Sequence, residues 1–285
     1  MNNKKPITYP KNPTWCPGCG NYGIWGAIKQ AAIKSQIPTE KIVITYDVGC
    51  SGNMADYNNF YGFHALHGRA IPPATGIKLA NHDLTPIVII GDGGCYGEGG
   101  THFINEMRGN HDITVLVHNN HRYSLTTGQM SPTTKKGTKT KSTPQGSIEE
   151  AFNPMAIAVS NHATFIAREF AGDIPSLANR IAQAITHPGF AVIDILQPCV
   201  VFNPEQSYDW YRQNMVKLED EKHDSTNKEA AWKQAMRTDK LPIGLFYQDK
   251  NSVPYHSQVA EIKDKPLVDK PIESVDISKL VKNFQ

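Results

Sequence analysis

The sequence has few cysteines and lacks long hydrophobic runs. Five of its 285 residues are cysteine, and an odd number in a chain of this length does not indicate a disulfide framework. No apolar run approaches the roughly 20 residues that a membrane-spanning helix needs. The opening MNNKKPITYPKNPTWC contains no apolar segment typical of a signal peptide. We therefore expect a cytoplasmic protein that keeps its cysteines reduced.

The chain also lacks an excess of charge of either sign. Lysine and arginine total 29, and aspartate and glutamate total 27. This balance gives no bulk attraction to nucleic acid or to a membrane surface, so we expect neither as a partner. The length is enough for one large α/β domain or two small ones with a sizeable core.

Short apolar segments alternate with helical ones over the first 200 residues. Five β-branched, nearly continuous apolar runs are typical of strands buried on both faces: 42–47, 86–90, 112–118, 163–167 and 190–196. Helix-like segments lie between them: 21–35, about 70–81, 98–109, 153–161 and 174–187. The alternation predicts an α/β fold with a mostly parallel sheet and helices on both faces.

The alternation weakens after residue 200. Residues 201–285 are charged and rich in proline, with brief helical signals over 229–237 and 276–284. We predict an α/β domain over residues 1–200 and an extended C-terminal arm over 201–285 that packs on this domain or on a partner subunit. The segment 131–146, SPTTKKGTKTKSTPQG, has no periodicity and is predicted to be a long loop, a kind of segment that is usually functional or disordered.

Polar residues follow two of the predicted strands. Asp92, in a Gly-Asp-Gly sequence, follows strand 86–90, and Asn120 follows strand 112–118. In an open parallel sheet, ligands bind beyond the carboxyl ends of the strands, so Asp92 and Asn120 are expected to project into one crevice if their strands are neighbours. With the backbone carbonyl of Arg122 they form an oxygen set suited to Mg²⁺, which typically also binds substrate phosphates.

Glycines surround this aspartate, and Gly93 and Gly94 would let a phosphate approach the backbone closely. One helix and one strand separate Gly93 from Asn119, and this spacing is the signature of enzymes that use thiamine diphosphate. A dinucleotide-binding glycine motif fits less well because the third glycine is wrongly spaced and no acidic residue closes the next strand.

The cysteines predict a second centre. Cys16 and Cys19 form a CxxC pair, and Cys50 and Cys199 each follow a predicted strand, on the same edge of the sheet as Asp92. One CxxC pair can hold zinc in an interaction module, although zinc ribbons bring two pairs. Four thiolates beside a phosphate crevice suit a [4Fe–4S] cluster. We interpret Cys95 as a small residue in the glycine-rich turn.

Six motifs resemble, in this order, the β subunit of two-subunit 2-oxoacid:ferredoxin oxidoreductases: WCPGCGNYGI, VGCSGN, HALHGRAIPPATGIKLAN, GDGGCYGEGG, NNHRYSLTTGQMSPTT and QPCVVFNP. The resemblance covers roughly residues 10–210. It implies the thiamine diphosphate-binding fold, specifically the diphosphate-binding domain. It also implies cluster ligands and a magnesium site: Cys16, Cys19, Cys50 and Cys199 for [4Fe–4S], and Asp92, Asn120 and the Arg122 carbonyl for Mg²⁺.

The resemblance further implies the residues that would line thiamine diphosphate: Val48, Gly49, Cys50, Ser51, His67, Gly93, Gly94, Ser124 and Leu125. His67 is the one candidate for a catalytic role in this chain. The implied reaction is oxidative decarboxylation of a 2-oxoacid with coenzyme A to acyl-CoA and CO₂, with electrons passed through the cluster to ferredoxin. An α subunit would supply the pyrimidine-binding domain that this chain lacks.

Four positions depart from the family pattern. Gly94 stands where an acidic residue is frequent, so a polar contact to the cofactor is missing or replaced. Asn53 and Thr127 stand at substrate-proximal positions where some members have lysine, and Glu98 replaces a frequent apolar residue. Pyruvate and 2-oxoglutarate therefore both remain open, and LTTGQ slightly favours 2-oxoglutarate. The lysines of 135–141 would guide coenzyme A or ferredoxin, or form a solvated loop.

Two alternatives compete with this interpretation. A non-oxidative thiamine diphosphate-dependent decarboxylase or synthase subunit would share the Asp92 and Asn120 motifs but would need no set of four cysteines. A zinc-binding interaction module would account for Cys16 and Cys19 but would leave Asp92 and Asn120 unexplained.

Overall fold

The computed structural model describes residues 7–271 and 275–284; residues 1–6, 272–274 and 285, which belong to the predicted domain and arm, lie outside it. The helices are α1 (Asn21–Lys34), α2 (Ile71–Ala80), α3 (Gly100–Gly109), α4 (Pro154–Ser160), α5 (Ile174–Ile185), α6 (Tyr208–Asn214), α7 (Lys228–Ala235), α8 (Tyr255–Gln258) and α9 (Ser278–Lys282). Among the described residues no helix has the length and apolar character needed to cross a membrane.

The strands are β1 (Ile42–Tyr46), β2 (Tyr61–His64), β3 (Thr85–Gly91), β4 (Thr114–Asn119), β5 (Arg122–Tyr123), β6 (Gln129–Met130), β7 (Phe165–Phe170), β8 (Ala191–Leu196), β9 (Met215–Lys217) and β10 (Leu241–Gln248). Eight of them form one sheet in the order β2-β1-β3-β4-β8-β7-β10-β9, and β5 pairs with β6 in a small hairpin. All neighbours in the large sheet are parallel except β10 and β7. The predicted α/β fold with a mostly parallel sheet is confirmed.

The central strands are buried on both faces, as their continuous apolar sequences predict. Along β3, Ile87 and Ile89 belong to a hydrophobic core shared with α1 and α5, while Val88 and Ile90 belong to a second core shared with α2, α3 and α4. Because successive side chains of a strand point to opposite faces, this alternation places helices on both sides of the sheet.

Three strands of the large sheet are missing from the sequence prediction. Strand β2 lies at the sheet edge with all its side chains exposed, so it carries no pattern of buried residues. Strand β9 has three residues, and β10 contains Pro242 and Gly244, which normally count against a strand.

The predicted arm is wrong for residues 215–248, which extend the main sheet through β9 and β10. Helix α7 between them packs against α4, and its Ala231 is fully buried in the same core as Phe246 of β10. This segment contains few apolar side chains among many charged ones. The composition of the sequence therefore does not reveal that these apolar side chains belong to the core. The division of the chain at residue 200 stays a prediction.

A wide helical turn precedes α3. Residues Gly93–Glu98 form a π-helix that starts directly after Asp92, and α3 begins at Gly100 rather than at the predicted residue 98. Single π-turns occur frequently at functional sites. This turn carries the glycine-rich segment to the carboxyl edge of the sheet.

Candidate cofactor site and cysteine group

A cavity lies beyond the carboxyl ends of β1, β3, β4 and β8, where the topology of a parallel sheet favours ligand binding. All nine residues predicted to line thiamine diphosphate line this cavity: Val48, Gly49, Cys50, Ser51, His67, Gly93, Gly94, Ser124 and Leu125. Asp92, Asn120 and Arg122 lie on its wall as well. The structure therefore gathers the predicted cofactor and magnesium residues, whereas their roles stay predictions.

Asp92 is a buried carboxylate that two hydroxyl groups hold in place. Its Oδ2 accepts hydrogen bonds from Ser131 Oγ and Thr133 Oγ1, both at 2.6 Å. Burial raises the pKa of Asp92 to about 6, although these two hydrogen bonds oppose the rise. A cation bound here would offset the cost of burying the charge, because buried carboxylates are normally paired or coordinate metals.

The two asparagines after β4 have different surroundings. Asn120 Oδ1 accepts from the Arg122 backbone N–H at 3.0 Å and from Ser124 Oγ at 3.2 Å. These two hydrogen bonds stabilise the turn of residues 120–124 at the cavity. Asn119 instead donates to Asp194 Oδ1 at 2.9 Å, below the cavity. Asn120 is thus the residue of the pair that lines the cavity, and its role as a magnesium ligand stays a prediction.

Two buried polar residues of the cavity wall were not predicted from the sequence. Burial lowers the pKa of His118 to about 3, so the neutral ring donates from Nδ1 to Asn21 Oδ1 at 2.7 Å. Within residues 7–271 and 275–284, neither His118 Nε2 nor Gln197 Oε1 has a hydrogen-bond partner. Since buried polar atoms are rarely left unpaired, these two indicate a site built to receive a polar ligand.

The glycines at the start of the π-helix are required by close packing. A Cβ atom on Gly94 would lie 2.0 Å from Asp47 Oδ2, and one on Gly93 would lie 2.2 Å from the Tyr123 ring. The acidic residue that is frequent at position 94 in the family therefore has no room here. A carboxylate from Asp47 occupies that place.

The predicted cluster ligands converge on one side of this cavity. Burial, followed by repulsion from the thiolates of Cys19, Cys199 and Cys16, raises the pKa of Cys50 to about 12. Burial and the thiolates of Cys199 and Cys16 also raise the pKa of Cys19. These mutual effects indicate that the four sulfurs lie within electrostatic range of one another. All of them are free thiols.

Backbone hydrogen bonds fix the segments that carry these cysteines. The Gly20 N–H donates to the Pro198 carbonyl at 3.0 Å, which joins the CxxC segment to Cys199. Trp15 Nε1 donates to the Cys50 carbonyl at 2.7 Å. Three distant parts of the sequence are therefore held together by the fold itself.

The cysteine group and the cavity share a wall. Cys50 lines the cavity, and Ser124, which also lines it, lies 3.4 Å from Cys199 Sγ through its hydroxyl group. Among the described residues, no three histidine, cysteine or acidic side chains converge on a single metal ion. In a [4Fe–4S] cluster four thiolates hold four iron atoms rather than one, and four neighbouring free thiols fit that requirement.

The substrate-proximal predictions lie outside the cavity lining. Asn53 is half-buried in a short 3₁₀-helix, and Thr127 is exposed next to Thr126 at the cavity edge. The predicted loop 131–146 contains no helix or strand, and its start supplies Ser131 and Thr133 to Asp92. Lys141 of this loop donates to Thr127 Oγ1 at 3.0 Å.

The fold and this cavity define a class, the thiamine diphosphate-dependent enzymes. Residues 47–195 match the family "Thiamine pyrophosphate enzyme, C-terminal TPP binding domain". Residues 199–264 match the family that describes the C-terminal part of the "Pyruvate ferredoxin oxidoreductase beta subunit".

Similar proteins narrow the class. A 2-oxoacid:ferredoxin oxidoreductase subunit beta of Saccharolobus solfataricus is 41% identical over 92% of this chain and 90% of its own length. The 2-oxoglutarate oxidoreductase subunit KorB of Mycobacterium tuberculosis is 41% identical over 73% of this chain and 56% of its own length. A chain of the 2-oxoglutarate:ferredoxin oxidoreductase from Magnetococcus marinus, solved with 2-oxoglutarate, coenzyme A and succinyl-CoA bound, matches with a TM-score of 0.90 at 33% identity, covering 100% of this chain and 97% of that one.

This chain belongs to the family of 2-oxoacid:ferredoxin oxidoreductase β subunits. The function predicted from the sequence is therefore confirmed, and it is that of an oxidoreductase subunit. As a β subunit, the chain works with an α partner. The alternatives of a non-oxidative thiamine enzyme and of a zinc-binding module are not supported by these relatives.

Proposed function

We propose that this chain binds thiamine diphosphate through Mg²⁺ and carries a [4Fe–4S] cluster beside it. Asp92, Asn120 and the Arg122 carbonyl would hold the metal, and Cys16, Cys19, Cys50 and Cys199 would hold the cluster. With its α subunit, the chain would oxidatively decarboxylate a 2-oxoacid with coenzyme A and pass the electrons to ferredoxin. The observation that carries this proposal is that the cavity and the cysteine group share residues. Cys50 lines the cavity, and Ser124 lines the cavity and contacts Cys199.

When bound, thiamine diphosphate supplies carbanion chemistry and the cluster supplies one-electron transfer. The residues of this chain bind and orient both groups. Ser131 and Thr133 keep the Asp92 carboxylate aimed at the metal, and hydrogen bonds to a metal-binding side chain tune the affinity for the metal. Cys19 and Cys199 are buried, so they would hold the cluster away from bulk solvent.

The α subunit would complete the site. Thiamine enzymes need a carboxylate against the aminopyrimidine ring of the cofactor, and a separate pyrimidine-binding domain provides it. The described residues form one large sheet that carries the diphosphate side of the cavity. We therefore expect the isolated chain to lack 2-oxoacid oxidation.

The edge of the cavity favours a dicarboxylic substrate. Lys141 lies beside Thr127, next to the cavity-lining Thr126, and its ammonium group is exposed. The Arg122 guanidinium is engaged elsewhere, with the Phe202 and His121 carbonyls and with Asn203. An exposed cation at this place suits a second carboxylate, so we propose 2-oxoglutarate as the preferred substrate.

We expect the co-expressed α and β chains to reduce ferredoxin with 2-oxoglutarate and coenzyme A, at a kcat/KM at least about tenfold above that for pyruvate. Lys141→Met should raise the KM for 2-oxoglutarate about tenfold, the loss expected when a charge-assisted hydrogen bond is removed, and leave pyruvate kinetics unchanged. Initial rates against a panel of 2-oxoacids measure both effects.

The exposed Lys139 of the same loop provides a matched control, since Lys139→Met removes the same charge at a neighbouring position. A preference for pyruvate, or equal effects of the two lysine variants, would contradict the substrate assignment. Full activity of the isolated chain would contradict the need for an α subunit.

A further inference from the structure

Three ionisable side chains meet at His67, which lines the cavity, and form what we call the Asp47–His67–Glu98 cluster. Asp47 is completely buried, and its Oδ2 lies 3.1 Å from His67 Nδ1. On the other side of the ring, His67 Nε2 lies 3.4 Å from Glu98 Oε2. A histidine is thus held between a buried carboxylate and an exposed one.

The buried carboxylate of this cluster is fixed by the backbone around it. Asp47 follows β1, and its Oδ1 accepts from the Gly68 N–H at 2.6 Å. Its backbone N–H donates to the Ile89 carbonyl at 2.9 Å. The space for its Oδ2 exists because position 94 has no side chain. Asp47 can therefore hold only a narrow range of positions.

The outer carboxylate is also supported. Tyr123 donates its hydroxyl to Glu98 Oε1 at 3.1 Å, and the ring of Tyr123 lies edge-on to that of His67 with centroids 6.1 Å apart. Arg69 donates to the Glu98 carbonyl at 2.7 Å. Among the described residues, Asp47 and Glu98 are the charged groups that act on His67, and Tyr123 is the titratable group whose ring contacts it.

The buried partner determines which nitrogen of His67 faces the ligand. A carboxylate on Nδ1 fixes the orientation of the ring and leaves Nε2 for a second interaction. At 3.4 Å the contact from Nε2 to Glu98 is long for a hydrogen bond, so a stronger acceptor can replace it. His67 lines the same cavity wall as Gly93 and Gly94, which would admit a phosphate.

We propose that Asp47 is a positioning residue of the cofactor site: it holds His67 protonated so that Nε2 donates a hydrogen bond to the diphosphate of the cofactor. This inference rests on the proposed function. Glu98 would be the partner of His67 before the cofactor binds. Charge-assisted hydrogen bonds to phosphate are stronger than neutral ones, so the charge on His67 matters as well as its position.

The two carboxylates of the cluster favour the charged form of His67. The hydrogen bond from His67 to Asp47 raises the pKa of His67, and the charge of Glu98 adds to the rise while burial opposes it. The charged donor is present below this raised pKa and is lost as the pH rises through it. Cofactor affinity should therefore decrease at high pH, and without the Asp47 charge the decrease should begin at a lower pH.

The test is the dissociation constant of thiamine diphosphate for the αβ complex, measured by calorimetry with Mg²⁺ at several pH values. Asp47→Asn keeps an acceptor for the Gly68 N–H but removes the charge. We expect about tenfold weaker binding at pH values below the raised pKa of His67, the loss of one charge-assisted hydrogen bond, and a pH midpoint shifted to lower values. A purely structural role for Asp47 would not move this midpoint.

A second test moves the carboxylate from position 47 to position 94. Because a Cβ atom at position 94 would lie 2.0 Å from Asp47 Oδ2, an aspartate at 94 can supply the carboxylate if position 47 is emptied. Asp47→Gly alone should bind the cofactor weakly, and the double variant Asp47→Gly, Gly94→Asp should recover affinity and the original pH midpoint. Gly94→Asp alone should be impaired, because two carboxylates would share one space.

The outcomes separate this inference from the proposed function. If the unmodified complex does not bind thiamine diphosphate, the proposed function fails. If it binds normally and Asp47→Asn leaves both affinity and pH midpoint unchanged, only the role of Asp47 is overturned. The role of Asp47 would also be overturned if the double variant bound thiamine diphosphate no more tightly than Asp47→Gly, while circular dichroism showed that both variants are folded.

Discussion

Asp92→Asn is expected to weaken binding of thiamine diphosphate to the αβ complex by at least about 100-fold when Mg²⁺ is present. The carboxylate is buried, and it is the charged member of the proposed metal ligands. Its asparagine variant keeps the shape but loses the charge that would pair with the cation. Even the loss of a residue that only hydrogen-bonds a metal ligand costs roughly 10–100-fold in metal affinity. Calorimetric titration with the cofactor at fixed Mg²⁺ measures this loss.

The threonines of the 131–146 loop give a graded comparison. Thr133→Val removes a hydroxyl that bonds Asp92, and it should weaken binding about tenfold. Thr140→Val is the control because its hydroxyl contacts Ser142 and Thr143 of the same loop and neither Asp92 nor Ser131. Equal binding by Asp92→Asn and the unmodified complex would show that the metal and diphosphate bind elsewhere.

Cys199→Ser is expected to abolish ferredoxin reduction, with a loss of at least about 100-fold. Cys199 is buried and lies 3.4 Å from the Ser124 hydroxyl of the cavity wall, and the carbonyl of Pro198 before it accepts from the Gly20 N–H after Cys19, so Cys199 would be a cluster ligand close to the cofactor site. A serine is a poor replacement for a thiolate ligand, and iron–sulfur clusters are held by cysteine thiolates. The variant complex should lose iron, acid-labile sulfide and the absorbance near about 400 nm that such clusters give.

Cys95 provides the control for cysteine loss. It is fully buried in the π-helix, and the neighbouring charges that affect its pKa are those of Asp47, Asp92 and Asp194 rather than of the other thiols. Cys95→Ala should therefore keep its iron content and its ferredoxin reduction. A Cys199→Ser complex with full iron and sulfide content would contradict the assignment of Cys199 as a ligand.

The sequence predicts the central sheet well because its strands are buried on both faces. Such strands need mostly apolar residues, and the predicted runs in β1, β3, β4, β7 and β8 supply them, although β7 also contains Arg168 and Glu169 and β8 contains Asp194. The edge strands obey weaker constraints. Strand β2 is exposed, and β10 tolerates Pro242 and Gly244 near the antiparallel edge of the sheet, so local composition does not reveal them.

The ligand side of the site was predictable because glycines, cysteines and the asparagine pair have distinctive spacing. The residues that support the site could not be predicted, because their partners come from distant parts of the chain. Asp47 contacts Gly68 and His67, and Thr133 contacts Asp92, each from a distant part of the chain. A signal did exist for Asp47, since it directly follows a buried strand, the same position that identified Asp92.

In the proposed mechanism, electrons leave the substrate through a cluster held beside the thiamine diphosphate cavity. The most direct measurement is electron paramagnetic resonance of the purified αβ complex, mixed anaerobically with 2-oxoglutarate and coenzyme A but without ferredoxin. We predict that the spectrum of a reduced [4Fe–4S] cluster appears, with absorbance lost near about 400 nm. Release of CO₂ while the cluster stays oxidised, or a complex that contains no iron, would contradict the account.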